Sequence, residues 1–252
     1  MVIDRRYSPA ALLVFGLGLA TVLTTVLSAF GVQWRLWDYR TGFTVLRIGA
    51  WSGLGVAALA VAACFIVTAP PYRRGLGLAA IGLACGVLAF AIPASHLNKA
   101  RNAPRLYDVT TDMRNPPQFI AILPLRDKAG ARNPAGYAGP ELAALQAKAY
   151  PDIRPLIVPA PVRAAFDAAL ALAVEKGWDI VAVAPQEGRI EATATTFWYR
   201  FRDDVVLRLI AADGQTRIDM RSASRIGKND VGANAARIRA FLSDLERRLA
   251  PE

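Results

Sequence analysis

The densest polar stretch in this 252-residue chain is Arg221-Ser-Ala-Ser-Arg-Ile-Gly-Lys-Asn-Asp-Val-Gly-Ala-Asn234. Two chemistries suit it. A strand that turns through Gly227 and Lys228 into a helix N-terminus offers free backbone N–H groups and a favourable dipole. With Arg221, Ser224, Arg225 and Lys228 beside it, that is an anion site. Ser224 and Lys228 also form the pair a Ser–Lys hydrolase would need, a less favoured reading. The plain structural alternative is that Ser222, Ser224, Asp230 and Asn234 satisfy one another, with Asp230 and Asn234 capping the helix.

Little else in the chain is reactive. Asp203 and Asp204 are adjacent carboxylates, but strand neighbours point to opposite faces and do not easily share one cation. They read as the opening of a strand. His96 is the single histidine. It falls at the end of a hydrophobic run, where an interfacial side chain is expected. A Ser-His-Asp set and a His-based metal site are therefore absent downstream of it. Cys64 and Cys85 lie inside hydrophobic runs, so the rest of the chain has neither a disulfide nor a thiolate nucleophile. Phosphate-loop and dinucleotide patterns are missing. No catalytic residue, metal or cofactor is assigned, and the chain reads as a non-enzyme.

The elements that carry these residues divide by charge. Residues 1–97 hold seven Arg and two acids, Asp4 and Asp38; residues 98–252 hold 23 basic and 18 acidic side chains. The net charge of +10 thus splits evenly, and the second half lacks a Lys-rich run or nucleic-acid signature. Membrane lipids and a membrane-protein partner are the expected contacts, and nucleic acid is not.

Ala10–Phe30, Ile48–Thr68 and Gly75–Ser95 are uncharged runs of 21 residues. Each is long enough for a helix to cross a hydrocarbon core of about 30 Å. The first is too long for the core of a cleaved signal peptide, and two more follow. Residues 1–97 therefore read as a membrane domain with spans at about 10–30, 48–68 and 75–95. Small-residue pairs Gly49/Gly53 and Gly82/Gly86 let helices approach closely, within the domain or against a partner. The stretch Gly31–Arg47 reads as an interfacial loop or in-plane helix, with Trp34, Arg35, Trp37 and Arg40 at headgroup level. Basic residues flanking the spans number six on one side and four on the other, counting Arg5, Arg6, Arg73 and Arg74 in the smaller group. That difference does not fix the orientation.

Residues 98–160 are Pro-rich and read as a wrapping linker with one helix candidate, Pro140–Tyr150, and apolar anchors at Ile120, Ile122, Leu123 and Leu125. Residues 161–252 form the soluble α+β domain. Periodicity predicts a strand at 156–158, a helix at 161–176, strands at 178–184, 189–196, 203–211 and 215–226, and a helix at 231–249. Asp213-Gly214 marks a hairpin. The order β-α-β-β-β-β-α fits a curved antiparallel sheet gripping a C-terminal helix, a helix-grip-like arrangement that often holds apolar ligands. The aromatic run Phe197-Trp-Tyr-Arg-Phe-Arg202 lies between two strands, as a lipid or protein contact or as core edge.

Three stretches, Ile190-Glu-Ala-Thr-Ala-Thr-Thr, Phe201-Arg-Asp-Asp-Val-Val and Asp219-Met-Arg-Ser-Ala-Ser-Arg-Ile-Gly-Lys-Asn-Asp-Val-Gly-Ala-Asn-Ala-Ala-Arg-Ile-Arg, resemble the bacterial domain of unknown function 1499. The resemblance covers about residues 108–249. Trp37-Asp-Tyr-Arg-Thr-Gly-Phe and Asp108-Val-Thr-Thr-Asp-Met-Arg-Asn-Pro-Pro look like the subset of that family with membrane helices in front. The resemblance implies no activity. Other members often carry export signals and a Cys-containing, Pro-rich segment, which implies the periplasmic side of the bacterial inner membrane. This chain has Arg114-Asn-Pro-Pro there and no Cys. The resulting expectation is a multi-pass accessory or structural protein that binds a membrane-protein partner or stabilises an assembly; a lipid- or anion-binding domain at the membrane surface is the alternative.

Overall fold

The structure, a computed structural model, describes residues 6–69 and 74–250. Arg5 and Arg73, which entered the charge count, lie outside the described residues. The chain forms two compact units. The first takes in residues up to Arg101 together with Trp198–Arg200; the second takes in the remainder from Asn102.

The first unit is built on helices α1 (Pro9–Gln33), α2 (Tyr39–Thr68) and α3 (Leu76–Asn102), all three long and apolar enough to cross a membrane. Helix α2 has 30 residues, about 45 Å of helix, which exceeds the hydrocarbon core. The loop expected over Gly31–Arg47 is therefore shorter than its sequence suggests. Only 34–38 leave the helices, and Arg40, Phe43 and Arg47 sit on the first turns of α2. Two contacts explain so tight a turn. Asp38 caps α2, its Oδ1 accepting from the Thr41 N–H at 2.8 Å. Trp37 folds back, donating from Nε1 to the Ser28 carbonyl at 3.2 Å. Its ring lies where a Cβ on Gly31 would stand.

Small residues decide how the three helices meet. A Cβ on Gly82 would lie 2.6 Å from the Val14 carbonyl oxygen, and one on Gly86 the same distance from that of Gly53. The small-residue pairs are thus used within the unit, joining α3 to α1 and to α2. Hydroxyls inside α1 are satisfied locally: Thr21 donates to Gly18 O, Thr25 to Thr21 O and Ser28 to Thr25 O. Large apolar side chains such as Leu13, Trp51 and Phe65 point outward, as a lipid-facing surface requires.

The second unit is an open antiparallel sheet with helices on one face. Its strands are β1 (Asp108–Thr110), β2 (Leu156–Val158), β3 (Asp179–Ala184), β4 (Arg189–Thr195), β5 (Arg202–Ala212) and β6 (Gln215–Ser224). Strands β3 to β6 form a meander, and β1 and β2 lie end to end along the free edge of β6. Asp213 and Gly214, both at positive φ, make the β5–β6 hairpin turn. Helices α6 (Val162–Glu175) and α7 (Ala233–Leu249) cover one face together. The expected grip of one helix is shared between two, because α6 has its own apolar stripe of Ala165, Phe166, Ala169, Leu172 and Ala173. Phe166, Ile190, Leu207, Met220, Ile238 and Phe241 fill the space between sheet and helices. Trp178 stacks on Phe241 at 5.0 Å, closing one end.

Residues 102–155 hold more structure than the proline count suggests. Besides β1 they supply α4 (Leu123–Lys128) and α5 (Pro140–Ala149). Of the four apolar anchors expected there, only Ile122 is buried; Phe119 joins it, while Ile120, Leu123 and Leu125 face outward.

Candidate functional site

Strand alternation sends two sets of side chains in opposite directions. On β6, Thr216, Ile218, Met220 and Ser222 face the helices, while Arg217, Asp219, Arg221 and Ala223 face away. Buried faces normally carry apolar residues, yet this second face is covered as well. A strap from Asp112 to Gly139 crosses it, and beneath it lies a ladder of charge pairs.

At one end Arg225 donates to both Asp204 oxygens, with Nη2 to Oδ1 at 2.7 Å, and Arg126 of α4 reaches Asp204 Oδ2 at 2.6 Å. Thr193 donates its hydroxyl to Asp204 Oδ1. In the middle Arg221 and Asp108, both fully buried, form a two-point pair at 2.9 and 2.7 Å. The Arg221 guanidinium lies 4.7 Å from the Phe119 ring centroid and 5.6 Å from that of Tyr137. Its remaining N–H groups donate to the carbonyls of Pro117 and Ala135. Burial pushes the Asp108 carboxyl up, with Arg221 pulling against it, and pushes the Tyr137 hydroxyl up to about 12. At the other end Arg208 and Arg217 share Asp219 and Asp112. Glu191 on β4 accepts from the consecutive backbone N–H groups of Ile120, Ala121 and Ile122, each at 3.0 Å. That carboxylate sits at the N-terminal side of α4, where the dipole favours negative charge.

The helix-facing side has its own polar cluster. Asn234 accepts from Ser222 Oγ at 2.7 Å and from Arg237, and donates to Ser224 Oγ and to the Tyr107 carbonyl. Arg237 reaches Asp203 at 2.6 Å. Asp230 Oδ1 and Oδ2 accept from the Gly232 and Asn234 N–H groups. Asp230 therefore caps α7 from two residues before the N-cap, Gly232. Burial pushes its carboxyl up against those two donors.

The residues singled out in the sequence thus separate. Arg221 and Arg225 lie on the strap side and are committed to Asp108 and Asp204. Ser224 lies on the helix side and holds Asn234. Lys228 alone of the four is exposed. Asp203 and Asp204 do face opposite ways, and each is an ion-pair partner rather than only a strand opener. Their roles escaped the sequence because their arginine partners are distant: Arg237 is 34 residues from Asp203, and Arg225 and Arg126 are 21 and 78 residues from Asp204. Among the described residues no three His, Cys, Asp or Glu side chains gather as metal ligands would. A shallow pocket of about 220 Å³ opens beside the strap, lined by Pro116, Pro117, Ile120, Arg189, Val206 and Arg208.

A family model described as a protein of unknown function (DUF1499) matches residues 108–245. The chain belongs to that family. The match starts on the first residue of β1 and ends inside α7, so the strap, the charge ladder and the Asn234 cluster all belong to the DUF1499 domain. No curated protein and no solved structure matches the chain.

Proposed function

We propose that this DUF1499 chain is a membrane-anchored accessory protein that binds a membrane-protein partner or stabilises a membrane assembly, without catalysis of its own. One observation carries the reading. The charged side chains best suited to chemistry are spent on one another: Asp108, Asp204, Asp219 and Glu191 are buried and paired within the fold. Such a domain is a stiff body rather than an open reactive cleft. In this reading the protein sits in the bacterial inner membrane, its second unit on the periplasmic side, as the likeness to exported family members suggests. Gentle detergent extraction followed by native mass analysis tests the accessory role. Co-migration with a defined membrane protein is expected, and a chain that always runs alone overturns it. A C-terminal alkaline phosphatase fusion tests the sidedness, activity being expected only if that end is periplasmic.

The lipid- or anion-binding alternative has one foothold. Arg189 and Arg208 are directly opposed across β4 and β5 and both line the pocket beside the strap. Like charges so placed repel unless an anion joins them. Glu187, Glu191, Asp112 and Asp219 already serve them, which favours the accessory reading. Lipid analysis of the purified protein decides: enrichment of an anionic lipid, lost in Arg208→Ala, would support the alternative.

A further inference from the structure

The first unit contains three residues from far along the chain. Trp198, Tyr199 and Arg200 form a tip between β4 and β5. The backbone turns here, with Arg200 at φ 51°. Tyr199 is the fixed member. Its hydroxyl lies 2.9 Å from Ser28 Oγ, and its ring stacks on Phe43 at 4.5 Å. Gly42 leaves the room: a Cβ there would come 3.2 Å from the Tyr199 ring. Beside this peg, Trp198 meets Phe30 edge-on at 6.3 Å, and Trp34 packs on the same Phe30 at 5.5 Å. Both indoles stay open to the outside, Trp34 61% and Trp198 56% exposed.

We propose that Trp198 and Trp34 together form an interfacial anchor seated in one leaflet of the bilayer. Continuity identifies the occupant. Phe30 is on the last turns of α1 and Phe43 on the first turns of α2, where the chain leaves one apolar span and approaches the next. An exposed indole at that level places its apolar ring on acyl chains and its N–H among headgroups. Arg35, beside Trp34, is suited to the phosphates. The patch is a direct extension of the span ends. The tip is then a fourth membrane contact, made by a loop that belongs in sequence to the DUF1499 domain.

The inference rests on the bilayer part of the proposed function, so its test includes a separate control for that part. The full chain is reconstituted in vesicles whose lipids carry bromine either just below the headgroup or deep in the tail. Emission of the wild type is compared with that of Trp198→Phe and Trp51→Phe, each removing one exposed indole. The wild-type-minus-variant difference isolates each tryptophan. Trp51, exposed on α2 inside the second span, should be quenched by lipid bromine and little by aqueous iodide. Trp198 is expected to be quenched by shallow bromine more than by deep, and little by aqueous iodide. Should the Phe variant fail to fold, Trp198→Tyr serves the same subtraction. If Trp51 is quenched by lipid but Trp198 only by iodide, the anchor is wrong and the spans stand. If neither is quenched by bromine, both readings fall.

Discussion

Arg221 and Asp108 are the most deeply buried ion pair among the described residues, joined at two points with neither side chain touching solvent. A pair so placed is costly to break from one side, because the survivor keeps its charge without a partner. Arg221→Met should therefore destabilise the second unit by about 3–5 kcal/mol. Replacing both, Arg221→Met with Asp108→Leu, should recover most of that loss, since a well-packed apolar pair avoids the desolvation cost. Thermal unfolding of the detergent-solubilised chain measures both. A double variant as unstable as the single one would contradict this account of the ladder.

Glu191 is the tether of the strap. Three consecutive amides converge on its carboxylate, and Arg189 lies against the same group. Glu191→Ala removes the acceptor and leaves three N–H groups to find water. Amide hydrogen exchange at Ile120, Ala121 and Ile122 should then quicken well ahead of exchange in β5 and β6. Exchange that stays as slow as in the wild type would mean that the apolar contacts of Phe119 and Ile122 hold the strap by themselves.

The meander and the helices were legible because each carries one clear period. Val205, Leu207 and Leu209 alternate along β5, while Ala235, Ile238, Phe241, Leu242 and Leu245 stripe α7. The hairpin turn was equally plain, Asp213-Gly214 being suited to positive φ. The strap was not legible, and the reason is physical. Its hold depends on single side chains that meet partners far along the chain, as Arg126 meets Asp204 and Glu191 meets the amides of 120–122. Strand β1 is three residues long, too short to show a period. The Asp108-Val-Thr-Thr run, rich in β-branched residues, was the only local signal. Buried Arg and Asp on a strand look like a solvated face until the strap is seen to cover them. That is why Arg221 and Arg225 suggested an anion site. Within the helix-side cluster, Ser222, Ser224, Asp230 and Asn234 were legible because they lie within a dozen residues of one another, while Arg237, Asp203 and Tyr107 join from outside that stretch.

Asp112 gives the fold an acid-sensitive point. Burial raises its carboxyl, but the backbone N–H groups of Asn115 and Arg114, with Arg217 and Arg208, outweigh that and hold it below the usual range. A depressed folded pKa means stability that is present above the unfolded value of about 3.9 and lost as pH falls through the folded one. Asp112→Asn should cost about 1 kcal/mol at neutral pH, the scale of a partly exposed, hydrogen-bonded charge. The gap between variant and wild type should narrow as pH drops below about 4. Denaturant melts across pH 3 to 7 read the gap directly, and a gap independent of pH would assign Asp112 a purely geometric role.

At Gly86 the long apolar helices α2 and α3 leave no room for a Cβ. A Cβ there would stand 2.6 Å from the Gly53 carbonyl oxygen and 2.8 Å from the Ala57 nitrogen. Both obstacles are backbone atoms of α2, so no flexible side chain can swing aside. Gly86→Val must push α3 away from α2, and overpacking of this kind costs about 1–3 kcal/mol, with the upper end expected here. Gly55→Ala is the matched control, because nothing stands within 4 Å of its Cβ position. That change should be neutral or slightly stabilising, since alanine favours the helix. Thermal melts in mild detergent should separate the two variants clearly. Equal melting temperatures would mean that the α2–α3 contact at Gly53 and Gly86 contributes nothing to holding the three helices together.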